Sequence, residues 1–349
     1  MRSESRAMDI ASVRILRMAL GTALSLWFSQ VLAWPMSFIA AVFTMFILAV
    51  PIPAPKVTSG IKFVLVLLMA VYAGLALLPL LLNQRWVGIL LLTLVVFYSF
   101  YYTARGGNAV VGAFATVGIA LATAVGTVSI DGALAAAGGL GVGAVVGVLF
   151  VWIAHAILPD SSAAPISKPS VVPAAKPPKP NPAAARRNAL RSLAIVMPVL
   201  LWFLLSSASA SYLAVMIKVA SMGQQTEADQ TKQVGQSLLL STVIGGIGAI
   251  IAWQVLSIWP SLLMYTLLIA LAGLLMGPRI FAGAAMHPAA GTWSYGYLTM
   301  IIILAPAVLD GTTGNTADGA FWSRLGMFFY ATIYGVIAVS VFDAFWPRK

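Results

Sequence analysis

The sequence predicts an all-α polytopic membrane protein of about 12 transmembrane helices, arranged as two parallel six-helix repeats. Three observations carry that reading. Hydrophobic residues make up 61% of the chain, charged residues 8%, and the mean hydropathy is +0.98, whereas a soluble domain is about a quarter charged. Apolar runs of about 20 residues, the length that crosses a hydrocarbon layer of roughly 30 Å, recur from end to end. A Pro/Ala/Lys-rich stretch at mid-chain separates two apolar halves. Ten-residue alternating strand patterns are absent, which argues against an outer-membrane barrel.

Taken in order, residues 1–10 are short, polar and charged, and no signal-cleavage pattern follows the first apolar run. That run, 11–33, therefore reads as a retained helix, with Arg14 and Arg17 near its start. A second span, 35–50, stops at Pro51-Ile52-Pro53-Ala54-Pro55-Lys56, where no helix can continue. Spans follow at 61–82, 86–103, 108–128 and 132–158, which completes a first repeat over 1–160. Residues 161–187 form a tether. Seven of residues 161–185 are proline and none is aromatic, so the segment buries too little to offset the entropy of ordering. The second repeat, 188–349, carries spans at 188–206, 209–222, 234–257, 261–277, 289–308 and 320–345. Residues 279–288 read as interfacial or re-entrant, because Pro288 interrupts the pattern.

Charge tests the count. With the N-terminus inside, 18 of the 20 Lys and Arg residues fall inside or at inner helix ends, all except Arg85 and Arg324. Asp131, Asp310 and Asp318 fall outside. The +11 net charge thereby reads as membrane topology, and nucleic acid is not needed to explain it.

The halves echo each other. Asp131-Gly132-Ala133 opens the sixth span and Asp318-Gly319-Ala320 the twelfth. Pro159 then follows Asp131 by 28 residues, and Pro347 follows Asp318 by 29. Trp27-Phe28 is matched by Trp202-Phe203. Six spans per half keep both copies in one orientation, which gives parallel repeats about an axis normal to the membrane.

Several motifs carry a family resemblance. They are the early arginine of the first span, Trp34-Pro35 with Thr44 in the second, and the turn holding Lys56, Thr58 and Gly60. The last span adds Arg324, Gly335 and a closing aromatic-Pro pair. In these the chain resembles the fusaric acid resistance and aromatic acid exporter superfamily of bacterial inner-membrane proteins. It departs from the larger exporters in having only the tether where they carry a sizeable soluble domain. It is also distantly similar to the aluminium-activated malate transporters, whose subunits have six spans. The resemblance implies a covalent pseudo-dimer in the inner membrane that exports small organic anions. It also implies partnership with a periplasmic adaptor and an outer-membrane channel.

Ionisable groups inside spans mark a pathway or a partner. Arg14 and Arg17 share a helix face; Arg191 opens the seventh span, Lys218 lies in the eighth, and Arg105 and Arg279 stand at inner ends. Converging, these six form a cationic vestibule whose guanidiniums suit carboxylates. Taken singly, each reads sooner as an anchor snorkelling to phospholipid headgroups. For proton coupling the candidates are His155 and Asp343, each four residues before its closing proline, and His287 beside Pro288; the plainer reading is polar helix ends in headgroup water. Gly139, Gly143 and Gly147 make a small-residue face for close helix packing. Phe97-Tyr98-Phe100-Tyr101-Tyr102 and Trp293-Tyr295-Tyr297 read as interfacial aromatic belts.

No enzyme motif is present, the chain has no cysteine, and neither cofactor nor metal is expected. The leading expectation is an inner-membrane exporter of small organic anions, aromatic or lipophilic, with both termini cytoplasmic. The alternatives are a passive anion channel on the same scaffold and a membrane scaffold subunit that transports nothing. Substrate identity, energy source and self-association into a homo-oligomer stay open.

Overall fold

The computed structural model describes residues 9–107, 109–159, 181–205, 231–283, 285–312 and 317–346. Lys218 and the expected eighth span, 209–222, lie outside the described residues, as does the tether apart from its last residues.

The first half contains α1 (Ile10–Leu32), α2 (Ile39–Leu48), α3 (Val57–Ala76), α4 (Leu78–Asn83), α5 (Arg85–Ala104), α6 (Ala109–Gly126) and α7 (Ile130–Ile157). The second contains α8 (Pro182–Leu205), α9 (Thr231–Ile258), α10 (Leu262–Met276), α11 (Ala290–Thr312) and α12 (Ala317–Phe345). A single 3-10 turn, Gly277–Arg279, and a minimal hairpin, β1 (Phe281–Ala282) with β2 (Ala285–Met286), join α10 to α11. The interruption expected over 279–288 is thus a hairpin, and its turn uses the left-handed backbone of Gly283.

Local chemistry sets the boundaries. Ser129 and Ser261 accept from the amides of Gly132 and Met264 at 3.0 and 3.1 Å, capping α7 and α10. α3 and α4 together make the single span expected at 61–82, α4 opening at Pro79 after a bend. Chain reversal between α1 and α2 places Ala33 and Met36 in the left-handed region. α2 therefore starts four residues later than the sequence pattern suggests, and Pro51 ends it.

Nine of the described helical stretches are long and apolar enough to cross a membrane, as an all-α polytopic membrane protein requires. α2, with ten residues, rises only about 15 Å. It lies inside the bundle, with Ile39 to Met45 and Leu48 all buried. The glycine face of α7 receives it. A Cβ at Gly139 would overlap the Pro35 carbonyl, and one at Gly147 would stand 2.7 Å from Phe43 Cβ. Packing is what that face does.

The helix pairings follow a pattern. Within the first half α3 packs on α6, α6 on α7, and α1 on both α2 and α7; within the second α9 packs on α11, α11 on α12, and α8 on α12. Between halves α1 lies against α10, and α8 against α5.

Contacts at helix ends fix which ends share a face. Trp152 near the end of α7 donates from Nε1 to the Pro55 carbonyl at 2.8 Å, beside the start of α3. Arg17 near the start of α1 reaches Leu158 after α7, and Ile15 meets Gly277 at the end of α10. At the opposite face Arg85, opening α5, donates to the Leu204 carbonyl at the end of α8, 2.8 Å away. The starts of α1, α3 and α8 and the ends of α7, α10 and α12 therefore lie on one face, with most of the basic residues.

Candidate functional site

Arginines built into the bundle are the first feature of this face. Arg17 is 3% exposed, and its Nε and Nη2 both donate to the Leu158 carbonyl, at 2.9 and 2.5 Å. A helix ends with carbonyls lacking intrahelical partners and a partial negative charge, and a guanidinium satisfies both needs. In the second half Arg187 does the same at the end of α12. Its Nε and Nη2 donate to the Trp346 carbonyl at 2.9 and 2.5 Å, and its guanidinium stacks 5.8 Å from the Phe342 ring centroid.

Asp343 accepts from Arg187 Nη2 at 2.8 Å and from Arg191 Nη2 at 2.5 Å. Arg191 is fully buried. Two cations on one carboxylate make this a charged clasp between α8 and α12.

The other expected residues distribute differently. Arg14 is half-buried one turn before Arg17, and Arg105 is half-buried at the end of α5. Arg279 is exposed, with its guanidinium 5.3 Å from the Trp293 ring centroid. His155 is half-buried, and its Nδ1 bonds the carbonyl of Val151 on its own helix at 2.9 Å. His287 Nδ1 accepts from the Ala289 amide at 3.0 Å, a local cap at the start of α11. Asp343 is committed to Arg187 and Arg191, so it sits with α8 and not with His155. Among the described residues no group of three His, Cys, Asp or Glu converges as a metal site would need.

A second feature is a series of buried hydroxyls between helices. Thr44 Oγ1 donates to the Ala40 carbonyl at 2.9 Å and lies 3.0 Å from Ser25 Oγ and 3.2 Å from the Gly147 carbonyl, tying α2 to α1 and α7. Thr242 and Thr332 join α9 to α12 at 2.9 Å. Ser99 and Thr116 join α5 to α6 at the same distance.

At the seam of α1 with α10 and α11, three buried hydroxyls gather. Tyr297 donates from Oη to the Ile269 carbonyl at 2.9 Å. Thr22 on α1 lies beside the Tyr297 hydroxyl, and Tyr265, one turn before Ile269 on α10, is buried as well. Gly273 makes the approach feasible, because a Cβ there would stand 2.9 Å from Ala19 Cα and 3.0 Å from Tyr297 Oη. Tyr297 was expected in an aromatic belt but is wholly enclosed.

Arg187, Thr22, Tyr265 and Tyr297 escape a reading based on charge and motif. Their signal was present nonetheless. Thr22, Ser25 and Ser29 share one face of α1, all buried, and Tyr265 and Tyr297 sit well inside apolar runs.

A protein-family model described as "Protein of unknown function (DUF2955)" matches residues 14–154, which run from the first turns of α1 almost to the end of α7. No curated protein and no solved structure matches the chain.

Proposed function

We propose that the chain is an inner-membrane exporter of small organic anions, aromatic or lipophilic, built as two parallel six-helix repeats around the seams between halves. The observation that carries the reading is a bundle with basic residues concentrated at one face and a buried, hydroxyl-lined seam leading inward from it. A field of one sign at a mouth raises the local concentration of the opposite ion, and buried polar groups at membrane depth mark pathways. By the positive-inside tendency the basic face is cytoplasmic, so anions would collect on the side from which export begins.

The repeat rests on correspondence. Matching α1 with α8, α3 with α9, α5 with α10, α6 with α11 and α7 with α12 turns each packing pair named above that does not involve α2 into another. In particular α1 on α10 becomes α8 on α5. Arg17 on the Leu158 carbonyl, before Pro159, becomes Arg187 on the Trp346 carbonyl, before Pro347. The family match over 14–154 spans one such unit. The motif resemblance to aromatic acid exporters supports the substrate class, and with it an adaptor and an outer-membrane channel as partners.

A passive anion channel is the second reading, favoured by one observation. The membrane-depth carboxylate that proton coupling would use is missing from the described helices, and Asp343, near the end of α12, is already shared by two arginines. Flux of radiolabelled benzoate into proteoliposomes, with and without an imposed pH gradient, separates the cases. Flux driven uphill by the gradient supports the exporter. Flux that only dissipates a benzoate gradient supports the channel, and none at all sinks both. In the exporter, Arg14→Gln lowers flux several-fold per folded molecule while Arg14→Lys restores part of it.

A further inference from the structure

We infer that the junction of α10 and α11 carries a seat for one anionic phospholipid, with its phosphate on Arg279 and an acyl chain along the exposed leucines of α10. The seat is independent of what the bundle transports.

The 3-10 turn Gly277–Arg279 closes α10 at the basic face. Arg279 is exposed there, its guanidinium 5.3 Å from the Trp293 ring centroid. Stacking uses the flat face of a guanidinium and leaves its N–H groups, which lie in the plane, for another partner. Among the described residues no hydrogen bond or ion pair takes them. That sets Arg279 apart from Arg17, Arg85, Arg187 and Arg191, each of which donates to a carbonyl or a carboxylate. No acidic residue from the surrounding chain competes for it, since residues 231–308 contain neither Asp nor Glu. The surface around it is open. Pro278, Ala282, Met286 and Gly291 are exposed, and a Cβ placed at Gly283 or Gly291 would meet nothing within 4 Å.

The chemistry selects the ligand. Leu275, one turn before Arg279, is 69% exposed, and Leu271, a turn earlier, is 50% exposed. From Leu271 to Arg279 the chain rises about 12 Å, most of the roughly 15 Å depth of one leaflet. An apolar track therefore ends at a cation, beside a tryptophan of the kind that sits at headgroup level. A phosphodiester presents two anionic oxygens to the paired donors of a guanidinium. Choline and ethanolamine headgroups carry a cation of their own, which opposes Arg279, whereas a glycerol headgroup carries none, so a lipid of net negative charge is favoured. A free phosphate would meet the guanidinium but leave the leucines uncovered. Arg279, expected from its charge in an inward vestibule, serves the bilayer instead.

Native mass spectrometry of the purified full chain in detergent, titrated with dioleoyl phosphatidylglycerol or dioleoyl phosphatidylcholine, tests the seat. We expect phosphatidylglycerol to bind more tightly than phosphatidylcholine. Arg279→Gln should weaken binding of the first phosphatidylglycerol roughly fivefold or more, the worth of one basic residue at an anionic headgroup, and leave phosphatidylcholine unchanged. Trp293→Leu keeps the charge but removes the stack, and should weaken the same binding severalfold. Lys62→Gln, at an exposed basic position near the start of α3 on the same face, should bind as the parent does. Parent affinity in both Arg279→Gln and Trp293→Leu overturns the seat. An equal loss in Lys62→Gln also overturns it, because attraction would then belong to the basic face at large. Glycerol phosphate, a headgroup without chains, should fail to displace the lipid at equal concentration; displacement would make this a soluble-phosphate site and overturn the lipid assignment. If Trp293→Leu does not fold, the exposed Arg279→Gln carries the test.

Discussion

At the scale of single residues, Asp343 holds more of this fold than any other carboxylate among the described residues. It neutralises Arg187 and the fully buried Arg191 together. Removing one partner of a buried ion pair is costly because the other charge stays behind. Asp343→Asn is therefore expected to destabilise the protein by about 3 kcal/mol, seen as a large drop in melting temperature in detergent. Replacing Asp343 and the fully buried Arg191 with apolar residues removes the deeper stranded charge and leaves Arg187 on the Trp346 carbonyl, so Arg191→Met with Asp343→Leu should recover part of the loss. A double variant no better than Asp343→Asn would contradict this account. The sequence makes Arg17, Arg191 and Asp343 conspicuous as charges in apolar runs. Their partners were not legible, because Arg17 meets a backbone carbonyl 141 positions away and a carbonyl has no signature in a sequence.

Elements were more legible than contacts. Periodicity is uninformative in helices that are apolar all round, but length and punctuation remain. Pro51 stops the second apolar run, and α2 ends at Leu48, close to it. The start of α2 is the exception, displaced by the positive-φ turn at Ala33 and Met36, which no residue type announced. The glycine face of α7 could be read for packing, and it makes a sharp prediction. Gly147→Ala pushes a methyl against Phe43 Cβ and the Ala40 carbonyl, and Gly139→Ala against the Pro35 backbone. Each should cost roughly 1–3 kcal/mol, since backbone cannot move aside cheaply. Gly138→Ala, one residue away with nothing within 4 Å, should leave melting unchanged. Equal melting for Gly138→Ala and Gly147→Ala would mean that α2 is not seated as described.

For the molecule as a whole, composition settles the membrane class and charge placement predicts the sidedness. Cysteines introduced at Ser170 and Asp131 of this cysteine-free chain should react with impermeant reagents from opposite sides of the membrane; labelling from one side would refute the arrangement. What a sequence could not convey is that the halves are joined crosswise, first helix of each against a later helix of the other.

That crossing creates two seams of unequal character. Where α1 meets α10, hydroxyls gather, whereas the buried residues of α5, the helix that packs on α8, are Gly88, Ile89, Leu92, Val96 and Phe100, without a hydroxyl among them. A symmetric homodimer of six-helix subunits would have to present identical seams and so bind ligand in pairs. A single chain is under no such constraint. If the hydroxyl-lined seam is the transport path proposed above, benzoate should saturate at one per chain, with a hyperbolic isotherm and a Hill coefficient near one.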